Sequence, residues 1–188
     1  RFVVEAKRQL VGAVSIDLLP GPSEILILAD STAKAAYIAA DMLAQAEHGG
    51  DSIVGFVTPS KTLLNQVERE IAKQAATLSR AKTIREVLKN GTFLLHVKSM
   101  EEGIAISNDF APEHLSLVVA DEEAVLAKIR TAGAIYLGAD SPVAVGDFLA
   151  GPSHTLPTGG AGRSFSGLRA DQFQRRTNIA VRFMVLAT

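Results

Sequence analysis

Short continuous apolar runs alternate along this chain with stretches in which apolar positions recur at intervals of three and four. Glu24 to Ala29 reads Glu-Ile-Leu-Ile-Leu-Ala between a Gly-Pro turn and Asp30. A run of that length without polar alternation suits a strand covered on both faces, and it predicts a central parallel strand. Asp30, Ser31 and Thr32 then offer N-cap side chains to a helix over Ala33–His48, in which Tyr37, Ala40, Leu43, Ala44 and Glu47 share a face and Gly49-Gly50 ends the run.

Ser52 to Val57 repeats the strand signal. Pro59-Ser60 opens a helix running through Ile71 to about Leu78, and another spans Ala81–Lys89 before Asn90-Gly91 closes it. A strand follows over Thr92–Val97, a helix over Ser99–Ser107, a strand over Leu115–Val119, a helix over Asp121–Thr131 and a strand over Ala134–Leu137. Parallel strands need covering crossovers, so this alternation predicts an α/β fold: a mostly parallel sheet with helices on both faces and ligands gathered at the strand ends. Phe2 to Leu10 predicts one more helix at the start. From Ser141 onward Gly146, Gly151, Gly159, Gly160, Gly162 and Gly167 are scattered among Pro152 and Pro157, which predicts a long functional loop.

Charge narrows the partners. With 19 Lys+Arg against 20 Asp+Glu, the net charge is -1. No strong field favours nucleic acid or an anionic membrane, so small molecules and protein partners are expected. No apolar run approaches the roughly 18 residues that span a bilayer, and Arg1 opens without a signal-peptide pattern, so the expected location is the cytoplasm. Cysteine is absent, which removes disulfides, zinc-thiolate sites and a thiol nucleophile. A metal would therefore be held by nitrogen and oxygen donors.

No Gly-x-Gly-x-x-Gly, P-loop or His-Glu-x-x-His segment is present, so candidate chemistry rests on smaller groups. Gln45 and His48 stand three apart near a helix end, where they can share a metal or, more blandly, where His48 caps the helix and meets its negative dipole end. In Ala111-Pro112-Glu113-His114 a stiff turn delivers a carboxylate and an imidazole just before a strand; adjacent extended residues point opposite ways and can serve different steps. Asp147 can complete a metal site with Gln45 and His48, and His154 lies in the same glycine-rich region; as isolated residues both are ordinary loop positions. Ser23 and Glu24, in Gly21-Pro22-Ser23-Glu24, form a turn with a hydroxyl and a carboxylate to offer. His96 continues a strand alternation and is expected to be structural. Arg163 and Arg175-Arg176 could meet an anion or stay solvated.

Taken in order, Phe2-Val3-Val4-Glu5-Ala6-Lys7-Arg8, Gly21-Pro22-Ser23-Glu24, Gln45-Ala46-Glu47-His48, Ala111-Pro112-Glu113-His114-Leu115, Gly146-Asp147-Phe148 and His154-Thr155-Leu156-Pro157-Thr158-Gly159-Gly160 resemble the histidinol dehydrogenase family from about Phe2 to Arg176. The resemblance implies a Rossmann-like fold and oxidation of L-histidinol through the aldehyde to L-histidine, with NAD and zinc as cofactors. It implies that Gln45, His48 and Asp147 are zinc ligands and that His114 is the base for the alcohol proton. It implies that Glu113 activates water for attack on the aldehyde. Ser23 and His154 match substrate-contacting positions, as do Gln45, His48, Glu113 and Asp147.

The family pattern also has a fourth zinc ligand, a histidine from a small C-terminal domain of an intertwined homodimer, and no histidine follows His154 here. The expected organisation is a remnant of a second Rossmann-like half at 1–20, a catalytic and zinc-binding unit at 21–170, and the start of a C-terminal segment at 171–188. The Gly-Pro-Gly-Asn segment and most of the NAD-binding half would precede Arg1. Elements that pack on such parts would expose apolar surface. Two other readings fit the residues: a related dehydrogenase of another small polar alcohol, and a catalytically silent module that binds zinc or a partner.

Overall fold

The computed structural model describes residues 2–151 and 153–180. The expected C-terminal segment at 171–188 therefore falls in part outside the described residues. Five strands, β1 (Glu24–Ala29), β2 (Ile53–Thr58), β3 (Thr92–His96), β4 (His114–Val118) and β5 (Ala134–Leu137), form one sheet in the order β3-β2-β1-β4-β5. All four pairings are parallel. β1 is the central strand that its apolar run predicts, with all six residues buried.

Alternate residues of the strands feed two cores. Ile25 and Ile27 of β1, with Val54 and Phe56 of β2, pack under α2 (Ala35–Ala46), α3 (Lys61–Ala75) and α4 (Ala81–Asn90), and the first residue of α7 (Val143–Phe148) joins them. Leu26, Leu28, Leu115 and Leu117 face the other way, against Ile104 of α5 (Met100–Phe110) and Val125 of α6 (Glu122–Leu126). A sheet covered on both faces needs apolar side chains at every strand position, which is why β1 shows no polar alternation.

Several boundaries differ from the sequence expectation, each for a local reason. α2 starts at Ala35 without a side-chain cap. Asp30 instead accepts hydrogen bonds from the Ala120 and Thr32 amides at 2.7 and 2.9 Å, tying the end of β1 to the end of β4. The buried face of α2 is Ile38, Ala39, Met42, Leu43, Gln45 and Ala46. Tyr37 is left half exposed beneath the Lys34 ammonium, 5.0 Å from the ring centroid. Alanine-rich helices carry little contrast between faces, so the three-and-four spacing marks the wrong one. α6 is a five-residue helix, far shorter than the expected Asp121–Thr131.

The largest correction lies in the glycine-rich region. α7 occupies Val143–Phe148, where a continuous loop was expected, and six residues are too few to show a helical period. Gly146 sits inside it because a Cβ there would collide with the phenol of Tyr136.

α1 (Phe2–Leu10) forms as expected but buries no residue, and Lys7 anchors it to Asp17 through a salt bridge of 2.5 Å. Phe2, Val3, Leu10, Val11 and Val14 are exposed there, and Phe148 and Leu149 beside α7. No helix among the described residues is long and apolar enough to cross a membrane.

Candidate active site

The candidate residues gather at the amino edge of the sheet. Ser23 precedes β1, Glu113 precedes β4, and these strands are neighbours in register. The carboxyl edge is where a doubly wound sheet usually binds ligand, at the point where strand order reverses. Here that point is closed: Asp30 reaches across it to Ala120, and the Asp30 amide donates to Val118 O at 3.3 Å. The candidate residues therefore lie at the strand starts and not at the carboxyl ends.

Two buried carboxylates lock this edge together. The Glu24 amide donates to Glu113 Oε2 at 2.9 Å, and the Glu113 amide donates back to Glu24 Oε1 at 3.2 Å. Glu24 Oε1 also accepts from the Gly159 amide at 3.0 Å, so it holds the glycine-rich loop against the strands. Thr158 seals the same joint by accepting from the Gly21 amide. Burial pushes the Glu24 carboxyl above its ordinary range and the charge of Glu113 adds to this, while the Gly159 and Glu113 amides pull it down. The sequence offers Glu24 only as a carboxylate in a turn and gives Thr158 no chemistry of its own. Their importance appears only once the loop folds back.

Ser23 links the catalytic candidates to the metal candidates. Its hydroxyl donates to Glu113 Oε2 at 2.7 Å and accepts from Gln45 Nε2 at 2.8 Å. Gln45, 2% exposed, thereby commits its amide nitrogen and leaves its carbonyl oxygen for a ligand. Glu113 likewise commits Oε2 and leaves Oε1 for the cleft.

Glu113 and His114 do not serve opposite sides of the sheet. Glu113 lies just outside β4, after the left-handed turn at Ala111 (φ 51°) and Pro112. Its carboxylate curls over the strand end to lie 3.6 Å from His114 Nε2. His114, 3% exposed, has Nδ1 3.2 Å from Tyr136 Oη on β5. Burial lowers the affinity of this imidazole for a proton and His48 lowers it further, whereas Glu113 and Asp147 raise it; the net shift is downward. At neutral pH His114 is therefore a neutral base.

The cleft of about 440 Å³ beside this pair is lined by Ser23, His48, Glu113, His114, Asp147 and His154, with Phe148 on its rim. A neighbouring recess joins Gln45, His48 and Asp147 with Asp41 and Arg80. The predicted residues thus converge from a turn, the end of α2, the start of β4, α7 and the loop after it. His48 fits the helix-end reading: its Nδ1 lies 3.2 Å from Ala44 O at the end of α2, an arrangement that commits one ring nitrogen and leaves Nε2 uncommitted. His96 stands apart, exposed, near Pro59 O at 3.2 Å. Arg163 pairs with Asp109, and Arg175 and Arg176 are exposed. None of the three arginines lines the cleft.

Among the described residues no group of three or more His, Cys, Asp or Glu side chains forms a metal cage. The candidate set consists of one imidazole, one carboxylate and one amide oxygen. Those donors suit a divalent ion of borderline softness, and three of them leave coordination positions open to a substrate.

Tyr136 and Asp41 are neighbours of the candidate site that residue types and spacing did not single out. Asp41 is one α-helical turn before Gln45, a periodicity that could have placed it in the same recess.

A parallel α/β sheet with a base, a carboxylate and nitrogen and oxygen donors around one cleft defines the class of a Rossmann-like enzyme module. A family model described as histidinol dehydrogenase matches residues 1–182, and the chain belongs to that family. It is 45% identical to histidinol dehydrogenase of Heliobacterium mobile over 95% of this chain and 42% of that protein. To the Thermus thermophilus enzyme of the same name it is 46% identical, over 92% of this chain and 42% of the relative. The crystal structure of histidinol dehydrogenase from Elizabethkingia anophelis matches with a TM-score of 0.88 at 39% identity, covering 92% of this chain and 40% of that one. The chain thus spans about 42% of the length of these curated relatives.

Proposed function

We propose that this chain carries the catalytic pair and three metal donors of an NAD- and zinc-dependent oxidation of L-histidinol through L-histidinaldehyde to L-histidine, the last steps of histidine biosynthesis. The observation that carries the reading is that His48 and Asp147 line both the cleft of Glu113 and His114 and the neighbouring recess of Gln45, in a member of this family.

The geometry supports a role for each of these residues. His114 is neutral and buried, so its Nε2 accepts the hydroxyl proton as the alcohol is oxidised. Glu113 has Oε2 fixed by Ser23 and Glu24 and turns Oε1 to the water that adds to the aldehyde. Its carboxylate also lies close enough to stabilise the imidazolium formed on His114. NAD, when bound, supplies the acceptor for the hydride removed in each half-reaction. Gln45, His48 and Asp147 would hold zinc, which would supply a Lewis-acidic anchor for the substrate. Ser23 and His154 complete the contacts to substrate.

The reading further places the protein in the cytoplasm as a homodimer, with residues 21–170 as the catalytic and zinc-binding unit between a remnant of a second Rossmann-like half at 1–20 and a C-terminal segment from 171. The balanced charge supports a small-molecule substrate and neither nucleic acid nor a membrane as partner.

The test is NADH formation from L-histidinol with zinc present, measured on this chain and on the chain joined to the flanking segments that its relatives carry. NADH formation in either form supports the proposal. A folded, zinc-binding protein silent in both forms is the catalytically inactive module instead, and activity on a different small polar alcohol alone marks a related dehydrogenase.

A further inference from the structure

His114 has two ring nitrogens with different surroundings. Nε2 lies 3.6 Å from Glu113 Oε2, beyond hydrogen-bond reach, while Nδ1 lies 3.2 Å from Tyr136 Oη. The two rings pack at a centroid distance of 5.8 Å and a tilt of 48°. Sheet register explains the meeting. Tyr136 pairs with Ser116, two residues beyond His114 on the same face of the sheet, so its ring leans diagonally onto the imidazole.

The phenol is held from the other side by α7. A Cβ on Gly146 would collide with the Tyr136 hydroxyl, so the glycine next to Asp147 makes the space in which that hydroxyl sits. Burial pushes the phenol up to about 12, with Asp147, Glu113 and Asp41 adding to the effect. The hydroxyl is therefore neutral throughout the physiological range, with an oxygen that can accept and a proton that can be donated.

We infer that Tyr136 is a positioning residue for His114: its Oη accepts the Nδ1 proton, which leaves Nε2 as the unprotonated nitrogen beside Glu113 and the cleft. This rests on the reading of His114 as the proton acceptor. A neutral imidazole holds one proton on one nitrogen, so an Nε2-protonated ring has no lone pair to offer there. The neighbouring carboxylate favours that wrong tautomer, because Glu113 attracts a proton onto Nε2. With its own proton turned away from Nδ1, Tyr136 opposes it by giving Nδ1–H an accepting oxygen at hydrogen-bond distance. Asp147 and α7 are joined to the base through the same phenol, so the donor set and the proton acceptor share one support.

The test is ¹⁵N NMR of the histidine side chains in this chain and in Tyr136→Phe, alongside NADH formation in whichever form of the protein is active. Phenylalanine keeps the ring over His114 and only empties the hydroxyl space, so the variant folds. The expected result is an Nδ1-protonated His114 at neutral pH in the wild type, a shift toward the Nε2-protonated form in Tyr136→Phe, and a turnover about tenfold lower with little change in KM. An Nε2-protonated His114 in the wild type, or a tautomer unmoved by the substitution, overturns the inference even if histidinol is oxidised. The expected tautomer shift in a protein that forms no NADH leaves Tyr136 as the tautomer anchor and removes the catalytic reading of His114 instead.

Discussion

Ser23 Oγ and Glu113 Oε2 lie 2.7 Å apart across the starts of two neighbouring parallel strands, although 90 residues separate them in the chain. This contact connects the proposed water-activating carboxylate to Gln45, and through it to the proposed metal donors. Removing it affects chemistry and stability together.

In Ser23→Ala the Glu113 carboxylate and the Gln45 amide each lose a partner in a largely buried setting. The expected cost is about 1–3 kcal/mol of unfolding free energy, read by denaturant titration. The same variant lowers the aldehyde half-reaction more than the alcohol half-reaction, because the water-activating group is the one released.

Glu113→Gln and His114→Asn separate the half-reactions. Each is expected to lower its own step by about 10²- to 10⁴-fold while leaving the fold intact. Supplying the aldehyde directly tells them apart: His114→Asn retains its oxidation far better than Glu113→Gln does. Circular dichroism of both variants checks that folding is unchanged.

Asp41 gives a pH signature in stability. Burial raises its carboxyl to about 6 from 3.8, partly offset by a hydrogen bond from the Val143 amide. The folded state therefore binds this proton more tightly than the unfolded state, and wild-type stability falls as pH rises between those two values. Asp41→Asn removes the buried charge while keeping an acceptor for Val143. It is expected to be about 1–2 kcal/mol more stable than wild type at neutral pH, after allowance for solvent screening. The difference vanishes as pH falls toward 4. Melting temperatures of both proteins across that range provide the check.

Gly146 and Tyr136 are coupled by space. Gly146→Ala overpacks the site and is expected to destabilise by about 1–3 kcal/mol. Adding Tyr136→Phe removes the hydroxyl nearest the new methyl and restores part of the loss. A double-mutant cycle measures that coupling, and strict additivity counts against it.

Much of the sheet was legible because its strands are buried on both faces and so appear as unbroken apolar runs. Ile25 to Leu28 is the clearest case. The cleft residues were legible only as an ordered set, since Ser23, the pair Gln45 and His48, the pair Glu113 and His114, Asp147 and His154 come from five separate segments with little local signal each. α7 was missed because six residues hold less than two helical turns. Asp30 was misread because an Asp-Ser-Thr run before a helix looks like a cap, whereas a tertiary partner, Ala120, takes the carboxylate. The convergence of Glu113 and His114 was hidden for a geometric reason: alternation predicts opposite directions only inside a strand, and Glu113 stands one residue before it. Tyr136 could not be ranked at all without the cross-strand register.

The most direct measurement of the central claim is NADH formed per L-histidinol consumed by the zinc-loaded protein, wild type against His114→Asn. The account predicts two NADH per histidinol in the wild type and loss of the alcohol step in the variant. A zinc-bound, folded wild type that forms no NADH in any context, or a His114→Asn variant as active as wild type, would contradict it.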